Sequence, residues 1–318
     1  MTAASLLPRF VQPLSHGIYA VDTGFQRPQF DAAYLIVHEG HAAFIDTGPN
    51  GAVPRLMQAL AACGLEADAV DYVIPTHVHL DHAGGAGLLM RQLPHAQLLV
   101  HPRGARHMID PAHLFGSATG VYGSDEMARS YGTLVPVDAS RVVTTHDGLV
   151  IELAGRPLLF HDTPGHAKHH HCIWDQASRG WFTGDTFGLS YREFDTAAGP
   201  WIVPTSTPIH FEPERLVASI ERLLASEPLC MYLTHYSRVT DVPRLGRLLL
   251  GLLDEMVRMA RPLRCATNRH EALKRGQLEI FSASLAAHGC TLGARAITQL
   301  LAMDLELNAQ GMAIWLDR

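Results

Sequence analysis

The stretch "THVHLDHAGG", Thr76 to Gly85, crowds three histidines and an aspartate into the six positions from His77 to His82. The residues before it, "AVDYVIPT", are β-branched and aromatic with little charge, the pattern of a buried strand. Gly84 and Gly85 close the turn, and "GAGLLMRQL" then opens a helix. His77, His79, Asp81 and His82 therefore sit on a strand-to-helix loop. Alternate side chains of an extended chain point the same way, so His77 and His79 face one direction. Asp81 and His82 follow where the chain turns and can close on the same point from another side. Donors at this spacing suit a metal better than a solvated loop. A divalent ion takes about four to six ligands, so the rest of the chain has to supply more.

Further donors stand in matching settings. His166 follows an apolar strand and a Pro-Gly turn in "HDTPGH", Asp185 ends a strand in "WFTGDTFG", and His235 ends another in "YLTHYS". Asp46 in "FIDTG" has the same placement. Each is a ligand-type residue at a strand-to-loop junction, where a sheet presents its site. One such residue reads as a cap or a core histidine; the whole set reads as a site.

The composition fits a folded chain of this kind. Of 318 residues, 47% are hydrophobic and 18% charged, enough apolar material for a sizeable core. The formal charge of -6, with no basic run, argues against nucleic acid as a partner. Five cysteines at irregular spacing do not make a disulfide framework and favour a reducing compartment, the cytoplasm. "MTAASLLPRFVQPL" lacks the pattern of a secretory signal, and "RLLLGLLDEMVRMA" is too short and charged to span a bilayer. Twenty histidines are the one compositional oddity.

Along the chain, "HGIYAVDTG", "AAYLIVHEG" and "HAAFIDTG" read as strands, and "AVPRLMQALAACGL" as a helix with Val53, Leu56, Leu60 and Cys63 on one face. The segment from about Arg103 to Leu134 has no clean period and reads as irregular helix and loop. "RVVTT", "GLVIELAG" and "PLLFHDTPGH" resume the strands. "HHHCIWDQASRGWFTGD" reads as a hairpin turning at Asp175–Gly180. A long loop from Phe187 to Phe211 leads to a helix in "EPERLVASIERLLASEP" and a last strand in "LCMYLTHYS". After Pro243 three helical patterns follow. The expected division is a catalytic domain over 1–242 and a helical subdomain over 243–318.

The ordered set Asp46, His77-x-His79-x-Asp81-His82, His166, Asp185 and His235 resembles the metallo-β-lactamase superfamily over roughly residues 10 to 240. The resemblance implies an α/β fold, a four-layer αββα sandwich, with a site at the shared end of its sheets. It implies two divalent ions, zinc ahead of iron or manganese. His77, His79 and His166 would hold the first, Asp81, His82 and His235 the second, and Asp185 would bridge them. Asp46 would orient ligand histidines through hydrogen bonds. The ligand set contains no cysteine, unlike some lactamases, and fits the glyoxalase II- and lactonase-like hydrolases. His170 lies four residues past His166, as often in such relatives, and reads as an orienting or buried group. His169 and His171 read as strand surface, and His101, His146 and His161 carry no site role. The tail resembles, in architecture only, the helical extensions of hydroxyacylglutathione hydrolase and of the alkylquinolone-pathway thioesterase.

The implied chemistry is hydrolysis of a small ester, thioester or lactone. A water held between two ions is acidified towards a pKa of ~7 and attacks a polarised carbonyl. Asp81 is placed to pass the proton to the leaving group. Tyr191 and Tyr236 are rival hydrogen-bond donors for the oxyanion. Phe115, Tyr122 and Tyr131, with Tyr191, Phe194, Trp201 and Phe211, are candidate pocket aromatics suited to an apolar or acyl-bearing substrate. A small-molecule substrate is expected, with no nucleic acid and no membrane, and a homodimer through the tail is compatible with its apolar faces. Two other readings stand beside this one. One is a regulatory, protein-binding chain that keeps the metal site. The other is a mononuclear iron dioxygenase of the persulfide type, poorly matched by "SYREFDT".

Overall fold

The computed structural model describes residues 7–206 and 208–318. Residues 1–6, the start of the stretch that lacks a signal pattern, lie outside the described residues. Among the described residues two sheets form. The first runs in chain order through β1 (Val11–Pro13), β2 (Ile18–Asp22), β3 (Ala32–His38), β4 (His41–Ile45), β5 (Val70–Ile74), β6 (Gln97–Val100) and β7 (Val142–Thr144). The second contains β8 (Val150–Leu153), β9 (Arg156–Asp162), β10 (His171–Asp175), β11 (Gly180–Gly184), β12 (Cys230–Leu233) and β13 (Ser237–Val239), ordered β13-β12-β11-β10-β9-β8. Both are mixed. In the first, β1 to β4 are antiparallel and β4 to β7 parallel. In the second only β11 and β12 are parallel.

Period-two alternation explains how these sheets stack. On β3, Tyr34 and Ile36 face the second sheet and pack with Phe160, Ile173, Phe182 and Tyr232. Their neighbours Ala33 and Leu35 face the other way, into a cluster with Val53, Leu56, Leu60, Leu89 and Leu93. That outer cluster belongs to α1 (Val53–Ala62), α2 (Leu80–Ala83) and α3 (Ala86–Gln92) with the loops around them. On the far side Trp174, Trp181, Met231 and Leu233 pack under the helix over Pro213–Leu224, and so the four layers read α, β, β, α. Strands covered on both faces are buried along nearly their whole length, as β10 and β12 are.

The segment without a clean period is mostly helical: α4 (Pro102–Ile109), α5 (Ala112–Tyr122), the single turn α6 (Ser124–Glu126) and a π-helical turn at Met127–Tyr131. The reason for the weak signal is visible in α5. It carries Gly116 and Gly120, poor helix formers, and buries only Ala118, so no apolar stripe marks it. It lies over a cavity instead of a core.

After α7 (Pro213–Leu224) and the last strands come α8 (Val242–Ala260), α9 (Arg269–Ala287), α10 (Ala294–Leu300) and α11 (Ala302–Leu316). The third expected helical pattern is thus two helices. The apolar face of α8, with Leu245, Leu249, Leu252, Leu253 and Met256, is buried within this chain, in one cluster with Leu216, Ile220 and Leu223 of α7. No helix among the described residues is long and apolar enough to cross a membrane.

Candidate metal centre

Chain direction brings the donors together. β4 and β5 are parallel, so Asp46 after β4 and His77 to His82 after β5 leave the first sheet at the same end. In the second sheet β9, β11 and β12 share one direction, and His166, Asp185 and His235 follow their C-terminal ends. Two glycines let the chain turn there. Gly165 has φ +132°, and a Cβ on it would meet the Leu216 backbone at 2.3 Å. Gly184 has φ +47°, and a Cβ would lie 2.5 Å from Thr76 Oγ1 and 2.6 Å from His170 Nε2. Both positions need glycine, and each immediately precedes a donor residue.

The donor atoms converge in two groups, His77, His79, His166 and Asp185, and Asp81, His82 and His235. In the first, His77 Nε2 lies 2.7 Å and His166 Nε2 3.3 Å from His79 Nδ1. Asp185 joins the two groups. Its Oδ2 is 3.2 Å from His166 Nε2, and its Oδ1 is 3.3 Å from His82 Nε2 and 3.7 Å from His235 Nε2. Asp81 Oδ2 stands 3.4 Å from His235 Nε2 and 3.8 Å from His82 Nε2.

Contacts behind the histidines aim these atoms. His82 Nδ1 donates to Asp46 Oδ2 at 2.8 Å, which aims its Nε2 at Asp185. His235 Nδ1 donates to the Phe30 carbonyl at 3.0 Å, which aims its Nε2 at Asp81 and Asp185. Asp46 itself, at φ 56°, accepts from the Thr76 backbone N–H, the Thr76 hydroxyl and the Thr234 hydroxyl. His170 Nε2 accepts the Asp185 backbone N–H at 3.2 Å, while its Nδ1 meets the Thr163 and Thr186 hydroxyls.

The residues fit divalent cations. His82 Nε2 and Asp185 Oδ1 are both fully buried with no hydrogen-bond partner among the described residues, although they face each other. Orphaned buried polar atoms are expensive, and a cation between these two would satisfy both. Burial, reinforced by neighbouring imidazoles, holds His77 well below its usual pKa and His79 down at about 3, so both stay neutral. Burial would raise the Asp81 carboxyl, but His82 and His235 outweigh it and bring it to about 2. Burial would lower His235, but its hydrogen bond to Asp81 and the charge of Asp185 carry it up to about 9. Without metal, Asp185 and Asp81 therefore draw protons onto His82 and His235.

The groups lie on the wall of a cavity of about 280 Å³. His79, Asp81, His166, Asp185 and His235 reach it from the sandwich, α5 supplies Ser117 and Val121, and α11 supplies Met303, Asp304 and Leu307. Of the candidate aromatics, Tyr122 and Tyr191 line this space. Three of the others anchor the long loop. Phe194 packs on Trp201, Trp201 on Phe281 of α9, and Phe211 on Trp315 of α11. Tyr131 is buried against Phe25 and Tyr122, and Phe115 is exposed.

Neither expected oxyanion donor is available. Tyr191 gives its hydroxyl proton to Asp304 Oδ1 at 3.1 Å. Tyr236 packs in the cluster between the sheets and does not line the cavity. His169 and His171 are not strand surface: both are buried, His169 at the cavity and His171 between the Thr145 hydroxyl and the Pro75 carbonyl. His101 pairs with Asp162 and half-buried His161 stacks on Trp181. Sequence reasoning missed Thr76, Thr234 and Asp304. The signal for Asp304 was an acid set in the buried stripe of α11 with Leu305, Asn308 and Met312.

The chain belongs to the metallo-beta-lactamase superfamily, whose family model matches residues 27–235. A metallo-beta-lactamase fold-containing protein, ST1585 from Sulfurisphaera tokodaii, is 24% identical over 224 residues, 69% of this chain and 78% of its own length. Its crystal structure superposes with a TM-score of 0.65 at 20% identity, covering 94% of this chain and 99% of ST1585. The metallo-beta-lactamase family protein TTHA1429 from Thermus thermophilus gives 0.64 at 20% identity over 90% of this chain and 93% of its own. The hydroxyacylglutathione hydrolase of Aeromonas salmonicida is 39% identical, but over 80 residues only, 25% of this chain and 28% of that enzyme.

Proposed function

We propose that this chain is a hydrolase of a small ester, thioester or lactone that works with two divalent metal ions, zinc ahead of iron or manganese. The observation that carries the reading is Asp185, whose Oδ2 faces His166 at 3.2 Å while its Oδ1 faces His82 at 3.3 Å. A carboxylate shared by two donor groups serves two cations, and the full second group speaks against a one-metal dioxygenase. His77, His79 and His166 would hold the first ion, Asp81, His82 and His235 the second. Bound there, the ions supply Lewis acidity and a water acidic enough to attack at neutral pH.

The chain's own groups do the rest. Asp46, the Phe30 carbonyl and the Thr76 hydroxyl meet Nδ1 of His82, His235 and His77, which would leave each Nε2 for ligation. Asp81 keeps 20% of its side chain exposed, at the cavity, and there accepts a proton and passes it to the departing alcohol or thiol. Leu80, Leu114, Leu189 and Met303 exclude water from the acyl portion of the substrate. In this reading residues 1–242 are the catalytic domain, and the helical subdomain over 243–318 closes the pocket. The short likeness to hydroxyacylglutathione hydrolase supports the thioester member of the class.

The test combines metal analysis with turnover. Reconstituted protein should hold about two equivalents and hydrolyse members of an ester, thioester and lactone panel, with activity lost to a chelator and restored by metal. A single tight ion in excess metal, or no turnover across the panel, refutes the reading.

A further inference from the structure

The cavity has a polar group that the hydrolytic chemistry does not use. Asp304, on α11, lines the space and is 7% exposed. Its Oδ1 accepts the Tyr191 hydroxyl at 3.1 Å, and its Oδ2 finds no hydrogen-bond donor among the described residues. Asn308, one helical turn on, offers a contrast. Its side-chain oxygen accepts the Ser206 N–H at 2.6 Å, its amide donates to the Pro204 carbonyl at 3.3 Å, and both atoms clamp the loop. A residue kept only to anchor a loop would be used in the same way. Asp304 leaves half of its carboxylate unsatisfied.

The surroundings favour a cation as the missing partner. Burial pushes the Asp304 carboxyl up to about 6, against the opposing charges of His235 and Arg27. A buried, half-solvated carboxylate is costly unless a positive group pairs with it. The nearby guanidinium of Arg27 is paired with Glu193 at 2.8 Å, lying 4.6 Å over the rings of Phe30 and Tyr191. Phe30 and Tyr191 both line the cavity, stacked on each other at 5.3 Å.

We propose that Asp304 is a specificity-determining residue and binds a primary ammonium on the part of the substrate remote from the scissile carbonyl. The inference rests on the cavity being the substrate pocket of the hydrolase proposed above. Carbonyl chemistry sits at the donor groups, and selection for an amine-bearing acyl chain sits on the tail.

Binding tests this without turnover. On the metal-loaded full chain, calorimetry would compare straight-chain ω-amino acids of three to six carbons with ω-hydroxy acids and fatty acids of matched length. The best amino acid should bind about tenfold or more tighter than either matched analogue, the scale of a charge-assisted hydrogen bond in a buried site. Asp304→Asn should bring that ratio close to one. Asp304→Glu, longer by one methylene, should move the best ligand to a chain one carbon shorter, a readout that a misfolded protein cannot give. Equal binding of the amino and hydroxy acids refutes the cation. A preference that survives Asp304→Asn, or an optimum that Asp304→Glu leaves in place, refutes the residue. Failure of the hydrolysis panel would overturn the catalytic reading while these binding ratios still decide this one.

Discussion

Replacing Asp46 by Asn tests how the metal centre is built, because the change keeps shape and removes one acceptor. Asp46 Oδ1 accepts the Thr76 N–H at 2.7 Å, and Oδ2 accepts His82 Nδ1 and the Thr234 hydroxyl, both at 2.8 Å. An amide must place its NH2 at one of these points. At the Oδ1 position it would confront a backbone N–H, a donor that cannot turn. At the Oδ2 position it meets a hydroxyl that can rotate and an imidazole that can change tautomer, so this orientation wins. His82 then accepts at Nδ1 and carries its proton on Nε2, the atom 3.3 Å from Asp185 Oδ1. A protonated Nε2 cannot ligate. The second group loses a donor and the first keeps all of its own. Loss of such orienting contacts weakens metal affinity by about 10- to 100-fold, or ~1.4–2.8 kcal/mol. Chelator competition should show this on the second equivalent alone, and the melting temperature of metal-free protein separates it from unfolding. Equal weakening of both equivalents, or wild-type affinity for both, would refute the tautomer argument.

Asp81→Asn should keep the fold and lower turnover by about 10²–10⁴-fold, read as kcat on the best panel substrate; a near wild-type rate at full metal content would remove its proton-carrying role. Arg156 and Asp175 form a buried pair with two contacts, at 2.8 and 2.6 Å, and Arg156→Met should destabilise the protein by about 3–5 kcal/mol in urea unfolding. Burial would raise the Asp175 carboxyl, but Arg156 outweighs it and holds it below its usual range. The pair's contribution is therefore complete above the unfolded value of about 3.9 and fades as pH falls through the lower folded value. Arg156→Met should flatten the acid limb of stability against pH, and an unchanged limb would assign acid sensitivity elsewhere. Truncation after Asp241 should aggregate, since Leu216, Ile220 and Leu223 of α7 would lose their cover; a soluble, active truncated protein in light scattering would show the tail to be dispensable.

Much of the fold and most of the centre were legible because they depend on local rules. Strand, donor and turn recur at Asp46, His166, Asp185 and His235, and parallel strands gather such ends without further information. The hairpin over His171–Gly184 and the α7 stripe follow from spacing alone. What escaped depends on distance. Tyr191 resembles an oxyanion donor until its partner is known, and that partner lies 113 residues away on α11. His169 and His171 look like surface because nothing local says that another layer covers them. The helix α5 was hidden because it faces a cavity, and a cavity imposes no apolar period.

The division between what was legible and what was not coincides with a division of labour. The donors stand on strand ends of the sandwich, and their orienting partners Thr76, Phe30 and Thr234 belong to the same layers. The remaining walls come from α5, the long loop and α11, and the tail holds the loop. Trp201 Nε1 donates to Ser284 Oγ at 2.9 Å, Ser206 N–H to Asn308, and Tyr191 to Asp304. The tail thus fixes the loop, and the loop with the tail bounds the cavity beside the donor groups. Substitutions there can reshape selectivity without disturbing a ligand, whereas substitutions at Asp46 or Thr76 disturb ligation without touching the substrate. It follows that the two kinds of variant should separate in kinetics. Tail variants should alter relative kcat/KM between substrates, and strand-end variants should lower kcat/KM for all of them together.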